Sequence, residues 1–344
     1  MTRLVEKAFL IALTASGMSG QRFELAPVEP VTLNAIIDSN TPVFWRDGRF
    51  HIFSSAGLPM LTSGEGPLQL QESTAVFLGP GTPDPLWIES VWKDEDETLF
   101  LWYHHEVVGL CGDKKLSMPK IGAAVSYDGG RSLTDLGFVL EDRNPVDCSA
   151  ENGYFGGGHG DFSVIYNPAD QHFYFFFSSY GGDVSEQGVA VARMHVDARY
   201  APGGSVWKYH QGKWDEPGLG GWVTPVFPAK AAWQREDADS YWGPSIHWNS
   251  YLEQWVILMN RSCCVPGWPQ AGVYITFNPD LSQPDLWRAP ELLIAAGDWY
   301  PQVIGSEPGE SDRLAGRQAR LFVRGVSDWE IVFHRDDPDE ESVE

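Results

Sequence analysis

Asp38, Glu89, Asp161 and Asp239 each stand where a polar loop gives way to a run of strand-forming, largely apolar residues. Carboxyls at such positions can move protons or hold a ligand. Asp161 follows Gly156-Gly157-Gly158-His159-Gly160, a run whose backbone allows another molecule to approach closely. Glu89 lies between Trp87 and Trp92 in an apolar strand, where a buried carboxylate needs compensation. Asp38 and Asp239 read equally well as turn acids. Trp87, Trp242 and Trp299 fall at or near strand starts, where aromatic faces can cover apolar C–H surface or pack in the core. His159 and His247 read as ligand contacts or as satisfied structural histidines. Arg261, after an apolar strand, can hold a carboxylate or cap a sheet.

The elements that must position these residues are strands. Residues 156–182 read as two antiparallel strands joined by the turn Asn167-Pro168-Ala169-Asp170, the second strand strongly aromatic. Similar strand pairs are anchored at Val43, Val91, Val164, Ile246 and Val303, spaced 48, 73, 82 and 57 residues apart. Their aromatic partners fall near 50–54, 99–103, 173–178, 255–259 and 321–323. A degenerate all-β repeat of this kind predicts propeller blades, and five anchors predict an all-β, five-bladed β-propeller over residues 21–335. A large β-sandwich or two β domains is the alternative. Residues 24–34 are expected to close the ring, and Asp47-Gly48 to turn the first hairpin. The charged run Lys93-Asp94-Glu95-Asp96-Glu97 reads as a solvated turn rather than a metal site.

With 36 Gly, 24 Pro and 15 Trp among 344 residues, the composition suits a loop-rich all-β chain. The net charge is −23 and the Lys and Arg residues are scattered, which argues against a nucleic-acid surface. No stretch reaches the ~20 apolar residues of a membrane span. Residues 1–20 carry a basic start, a short apolar run and small residues, the pattern of a secretory signal; an N-terminal packed helix is the alternative. Residues 336–344 read as an acidic disordered tail. None of the four cysteines has paired zinc-site spacing. In an exported protein Cys111–Cys148 is a candidate disulfide. Cys263 and Cys264 can pair with each other, pair elsewhere, or stay reduced like the rest.

Ser126-Tyr127-Asp128-Gly129-Gly130-Arg131-Ser132-Leu133 resembles the Asp-box of sialidase-type propellers, a structural turn on a blade's outer edge. The five-blade pattern, with acids where the innermost strands begin, resembles the superfamily of glycoside hydrolase families 43, 32, 62, 68 and 117. That resemblance implies a central funnel with three carboxylates: a base or nucleophile, a pKa modulator and a general acid. The chemistry needs one carboxyl ionised and another protonated at the same pH. The blade-one acid of family 43 falls on Asn40, with Asp38 two residues earlier; the blade-three acid is Asp161; the blade-four Glu falls on Trp242, with Glu236, Asp237 and Asp239 nearby. Glu89 stands at the start of blade two. The resemblance assigns Asp38 as base or nucleophile, Asp161 as modulator and Glu89 or Asp239 as acid. A histidine acid, as in family 117, would fall to His159 or His105. Asn40, Trp87, His159, Trp242, His247, Arg261 and Trp299 are the expected substrate contacts.

These features support two readings. One is an exported, monomeric glycosidase acting on an oligo- or polysaccharide, secreted or periplasmic, with no metal in its chemistry, no cofactor, and no nucleic-acid or membrane partner. A structural calcium in the funnel is left open. The other is a non-catalytic carbohydrate-binding or interaction propeller, to which the Asn40 and Trp242 departures point.

Overall fold

The computed structural model describes residues 22–335, apart from positions 34 and 72. The expected secretory signal and acidic tail lie outside the described residues. The described residues form five sheets, antiparallel except for two short parallel pairings, and each of the five sequence anchors sits on the innermost strand of its own sheet, as a five-bladed propeller requires. The innermost strands are Val43–Arg46, Trp87–Lys93, His159–Asn167, Ser240–Asn249 and Pro301–Gly305. Three short 3-10 turns are the only helical segments among the described residues, and no helix there is long and apolar enough to cross a membrane.

Strand alternation explains how the blades pack. In the second strand of blade two, Leu99–Val107, Leu99, Leu101 and Tyr103 face blade one, whereas Phe100 and Trp102 face blade three. In blade three, Phe173, Phe175 and Phe177 face blade two, and Tyr174 and Phe176 face blade four. Both faces of each sheet are therefore apolar, which is why these strands read as continuous aromatic runs rather than a clean alternation. Five buried clusters result, one for each contact between neighbouring blades.

Apart from a short parallel pairing of Trp248 and Asn249 with Leu314 and Ala315, the innermost strands have no sheet partner on the axis side, so part of their backbone needs other acceptors. Side chains of the preceding blade supply them. Ser55 Oγ accepts from Ile88 N (3.1 Å), Ser90 Oγ from Val164 N (2.7 Å), Ser163 Oγ from Ile246 N (3.3 Å) and Gln302 Oε1 from Thr41 N (2.8 Å). The ring closes between the first and last described strands: Arg22–Thr32 pairs antiparallel with Val326–His334 as the outermost strand of blade five. The expected closing segment, 24–34, overlaps this strand.

Residues 197–235 follow the third strand of blade three and add the outer hairpin Trp207–His210 and Lys213–Pro217 to that blade. The Asp-box is a turn as expected. Ser132 N donates to Asp128 Oδ1 (3.0 Å), Gly130 N donates to Ser126 Oγ (2.9 Å), and Gly129 and Gly130 take φ of 75° and 86°, open to glycine without strain. Cys111 is bonded to Cys148, and Cys263 to Cys264.

Candidate active site in the central funnel

The innermost strands do not start regularly. Pairing with the second strand slips between Ile88 and Ser90, between Gly160 and Phe162, and between Trp242 and Ser245. The residues left out of register are Glu89, Asp161 and the pair Gly243-Pro244. A bulge turns its extra residue away from the sheet faces, and bulges concentrate where a side chain must be re-aimed. Asp161 also holds φ of 40° and Tyr300 φ of 55°, left-handed values unusual for side-chain-bearing residues. Two acids are thus lifted out of the interblade packing and pointed toward the axis.

Glu89 and Asp161 meet at His104, which the cross-strand register places opposite Trp87. Their ligating atoms all lie within 4.8 Å of one another, and exposure is 1% for Glu89 and 4% for both His104 and Asp161. His104 Nδ1 donates to Glu89 Oε1 at 2.5 Å, and Phe162 N donates to Glu89 Oε2 at 3.1 Å. Trp87 lies flat against the imidazole, with centroids 4.7 Å apart and planes at 13°. Glu106 Oε1 stands 3.9 Å from His104 Nε2. The Tyr180 hydroxyl donates to Asp161 Oδ2.

The charge balance of this cluster follows from counting. Burial alone would discharge His104, but Glu89, with Asp161 and Glu106 behind it, pushes the imidazole up to about 9, so it stays protonated at neutral pH. One cation faces two buried carboxylates. Glu89 is raised by burial and relieved by its contact with His104 and by backbone N–H groups. Asp161 carries the surplus: burial, then repulsion from Glu89, lift it to about 7. Asp161 is therefore the carboxyl that can carry a proton near neutrality. Asp38, half-buried ahead of the first innermost strand, is raised by burial and pulled back by His104. Tyr300 is held well above its usual range by burial and then by Asp161, Asp38 and Glu89, the three acids it faces.

Other expected contacts are directed elsewhere. Asp239 makes a two-pronged pair with Arg261 (2.8 and 2.9 Å), so each is satisfied by the other. His159 is corrected from a funnel histidine to a buried one: Nδ1 lies 3.1 Å from Gly158 O and Lys208 Nζ donates to Nε2 at 3.0 Å, while burial and Lys208 hold it well below its usual range. His247 lies fully buried against Phe333 between blades four and five, where burial lowers it to about 3. His105 contacts the Pro85 carbonyl (2.7 Å) and points away from its neighbour His104. Asn40 is a tie between blades, donating from Nδ2 to Phe162 O (2.8 Å) and Pro244 O (3.0 Å); its buried Oδ1 has no partner. Trp242 is 2% exposed, inside an aromatic cluster with Tyr180, Trp233, Trp268 and Tyr300 that roofs one side of the funnel. Trp299 packs on this cluster and remains partly exposed, the expected aromatic best able to meet a ligand.

The funnel residues missed from sequence are His104, Tyr180 and Tyr300. One ligand atom each of Glu89, His104 and Asp161 lie close enough together to share a metal, but the set suits calcium poorly. Calcium takes about 6–8 oxygen ligands, whereas here there are two carboxylates and an imidazole whose Nδ1–H is committed to Glu89.

No protein-family model and no curated protein matches the sequence. Solved structures do resemble the fold. An α-L-arabinanase from Cellvibrio cellulosa superposes with a TM-score of 0.52 at 12% identity, over 89% of this chain and 94% of that one. An endo-arabinase from Bacteroides thetaiotaomicron gives 0.51 at 10% identity, over 90% and 98%. An exo-1,5-α-L-arabinanase from a bovine ruminal metagenomic library gives 0.50 at 11% identity, over 89% and 96%. At these identities the likeness is one of architecture, and it identifies the five-bladed β-propeller as the fold these chains share.

Proposed function

We propose that the protein is a glycoside hydrolase that cleaves O-glycosidic bonds of an oligo- or polysaccharide in the central funnel. The observation that carries this reading is the surplus carboxyl: Asp161, converging with Glu89 and His104, holds a proton to about pH 7. Tyr180 occupies Oδ2 as a donor, which leaves the proton to Oδ1. Asp161 donates that proton to the glycosidic oxygen as the bond to the anomeric carbon breaks. Asp38, better solvated, takes a proton from the water that attacks the anomeric carbon. Glu89 and His104 do not exchange protons with substrate; their pair sets the field in which Asp161 stays protonated. This moves Asp161 from modulator to acid and Glu89 from acid to modulator, relative to the roles the resemblance implied. The fold shared with arabinanases supports a carbohydrate substrate. Export to an oxidising compartment is supported by the Cys111–Cys148 bond.

A specific observation favours a second reading, a carbohydrate-binding propeller without turnover: in blade four the out-of-register position holds Gly243, and Asp239 is locked to Arg261. Hydrolysis of a panel of aryl glycosides and polysaccharides by the protein and by Asp161→Ala, Glu89→Ala and Asp38→Ala separates the two. Turnover lost in Asp161→Ala and Asp38→Ala with folding intact supports the enzyme. Glycan binding without turnover across the panel supports the binding module.

A further inference from the structure

The innermost strands end, as well as begin, in chemistry. At the face opposite the funnel, a cavity of ≈ 740 Å³ is lined by Trp92, Tyr166 and Trp248, the last residue but one of the innermost strands of blades two, three and four, and by Arg313 and Asp280. Asp161 and Tyr166 lie on one strand, so the cavity and the funnel acids stand about 17 Å apart along it. The volume lies within the range of about 300–1,000 Å³ typical of small-ligand sites.

The walls are partly exposed yet firmly held. Trp92 packs on Tyr166 (5.5 Å between centroids) and on Phe173 (5.2 Å), and Trp248 on Trp255 (4.8 Å). Arg313 is fixed at two points: Trp248 N donates to its carbonyl (2.9 Å), and its Nη2 donates to Val43 O (2.9 Å). Its Nη1 is buried and makes no hydrogen bond. A guanidinium that lines a cavity together with three aromatic side chains is a pattern that meets a ring ligand with apolar C–H faces and oxygen acceptors. Negative charge on that ligand is not favoured. Asp280 lines the same cavity, Asp312 stands 3.8 Å from Arg313, and the whole chain carries −23.

We infer that this cavity is a second, non-catalytic site for a neutral sugar residue, stacked on Trp92, Tyr166 or Trp248 beside the Arg313 side chain. The function proposed above supplies only the choice of probe. The site's existence does not depend on turnover in the funnel.

The test is calorimetric titration of the full chain with neutral arabino-, galacto- and xylo-oligosaccharides and with a galacturonic-acid oligosaccharide, on an Asp161→Asn background so that the ligand survives. Trp248→Ala removes a wall. Ala169→Trp, at an exposed position on the cavity rim, fills the space without touching the core, and thermal melting checks that both variants fold. Expected is a binding event for one neutral oligosaccharide that weakens by about tenfold or more in both variants. In the chain with Asp161 intact, Ala169→Trp is expected to leave hydrolysis of a small aryl glycoside unchanged. Neutral-sugar binding that is absent, or identical in Ala169→Trp and its parent, overturns the inference, as does a preference for the galacturonic-acid probe. An inactive funnel with an Ala169→Trp-sensitive site leaves this inference standing while the hydrolase reading falls.

Discussion

Blades three and four begin their innermost strands with the same backbone and opposite chemistry. In each, pairing slips just before the strand settles, and in each the third residue before the anchor takes a left-handed φ, 40° at Asp161 and 59° at Gly243. Blade three places a carboxyl there and spends it in the funnel. Blade four places no side chain, and its nearest acid, Asp239, turns away to Arg261. The bulge is therefore a property of how a blade meets the axis, and the residue it carries decides whether that blade contributes charge. Burial, and then repulsion from Glu89, keep the proton on Asp161.

The largest effect expected from breaking this asymmetry is in Asp161→Asn. If Asp161 is the general acid, turnover falls about 10²–10⁴-fold. The same variant changes stability. The folded-state value is raised, so the stability tied to this proton is full below about pH 4 and is lost as pH rises through about 7. Melting temperature measured from pH 4 to pH 7 should therefore decline in the parent and decline less in Asp161→Asn. A parallel decline in both proteins would refute the surplus-proton account.

Glu89→Gln sharpens the comparison by removing the like charge while keeping the shape. Asp161 then loses its main electrostatic push, and the alkaline limb of kcat/KM should move to lower pH than in the parent. His104 loses the partner that raises it; stability that is full below about pH 6.5 and lost as pH rises through about 9 should shrink in this variant. An unmoved alkaline limb would show that Glu89 does not set the proton on Asp161.

Smaller effects test the scaffold. Gly243→Ala puts a Cβ into open space, with only Asn260 Oδ1 within reach at 3.8 Å, but at φ of 59°. Backbone strain of about 1 kcal/mol, read as a lowered denaturation midpoint, is expected. Ser163→Ala removes the acceptor for Ile246 N and should cost about 1 kcal/mol or less at its 3.3 Å separation, without moving the pH profile. A shift of the profile in Ser163→Ala would mean that the tie between blades three and four also positions Asp161.

The blades were legible because each must bury both faces, and residues such as Phe173, Phe175 and Phe177 leave a dense aromatic signature around a repeating anchor. The acids Glu89 and Asp161 were legible for the opposite reason: a carboxyl in such a run stands out. What lies between strands was not. His104 and His105 are adjacent, and only the register of Trp87 against His104, with the bulge at Glu89, decides which imidazole faces the funnel. Asp239 reads as a free acid until the hairpin of blade four brings Arg261 beside it. Tyr180 and Tyr300 carry no local signal, since their meaning comes from the acids that other blades bring to them.

The closure of the ring has a consequence for how the molecule is made. The strand Arg22–Thr32 finds its partner in Val326–His334, so a growing chain holds an unmated strand until that distant segment has emerged. Contacts this distant in sequence slow folding and leave an open edge exposed meanwhile. Blades one to four can assemble in order, each on the wall of the one before. The first described strand must wait beside them until Val326–His334 arrives to cover its edge.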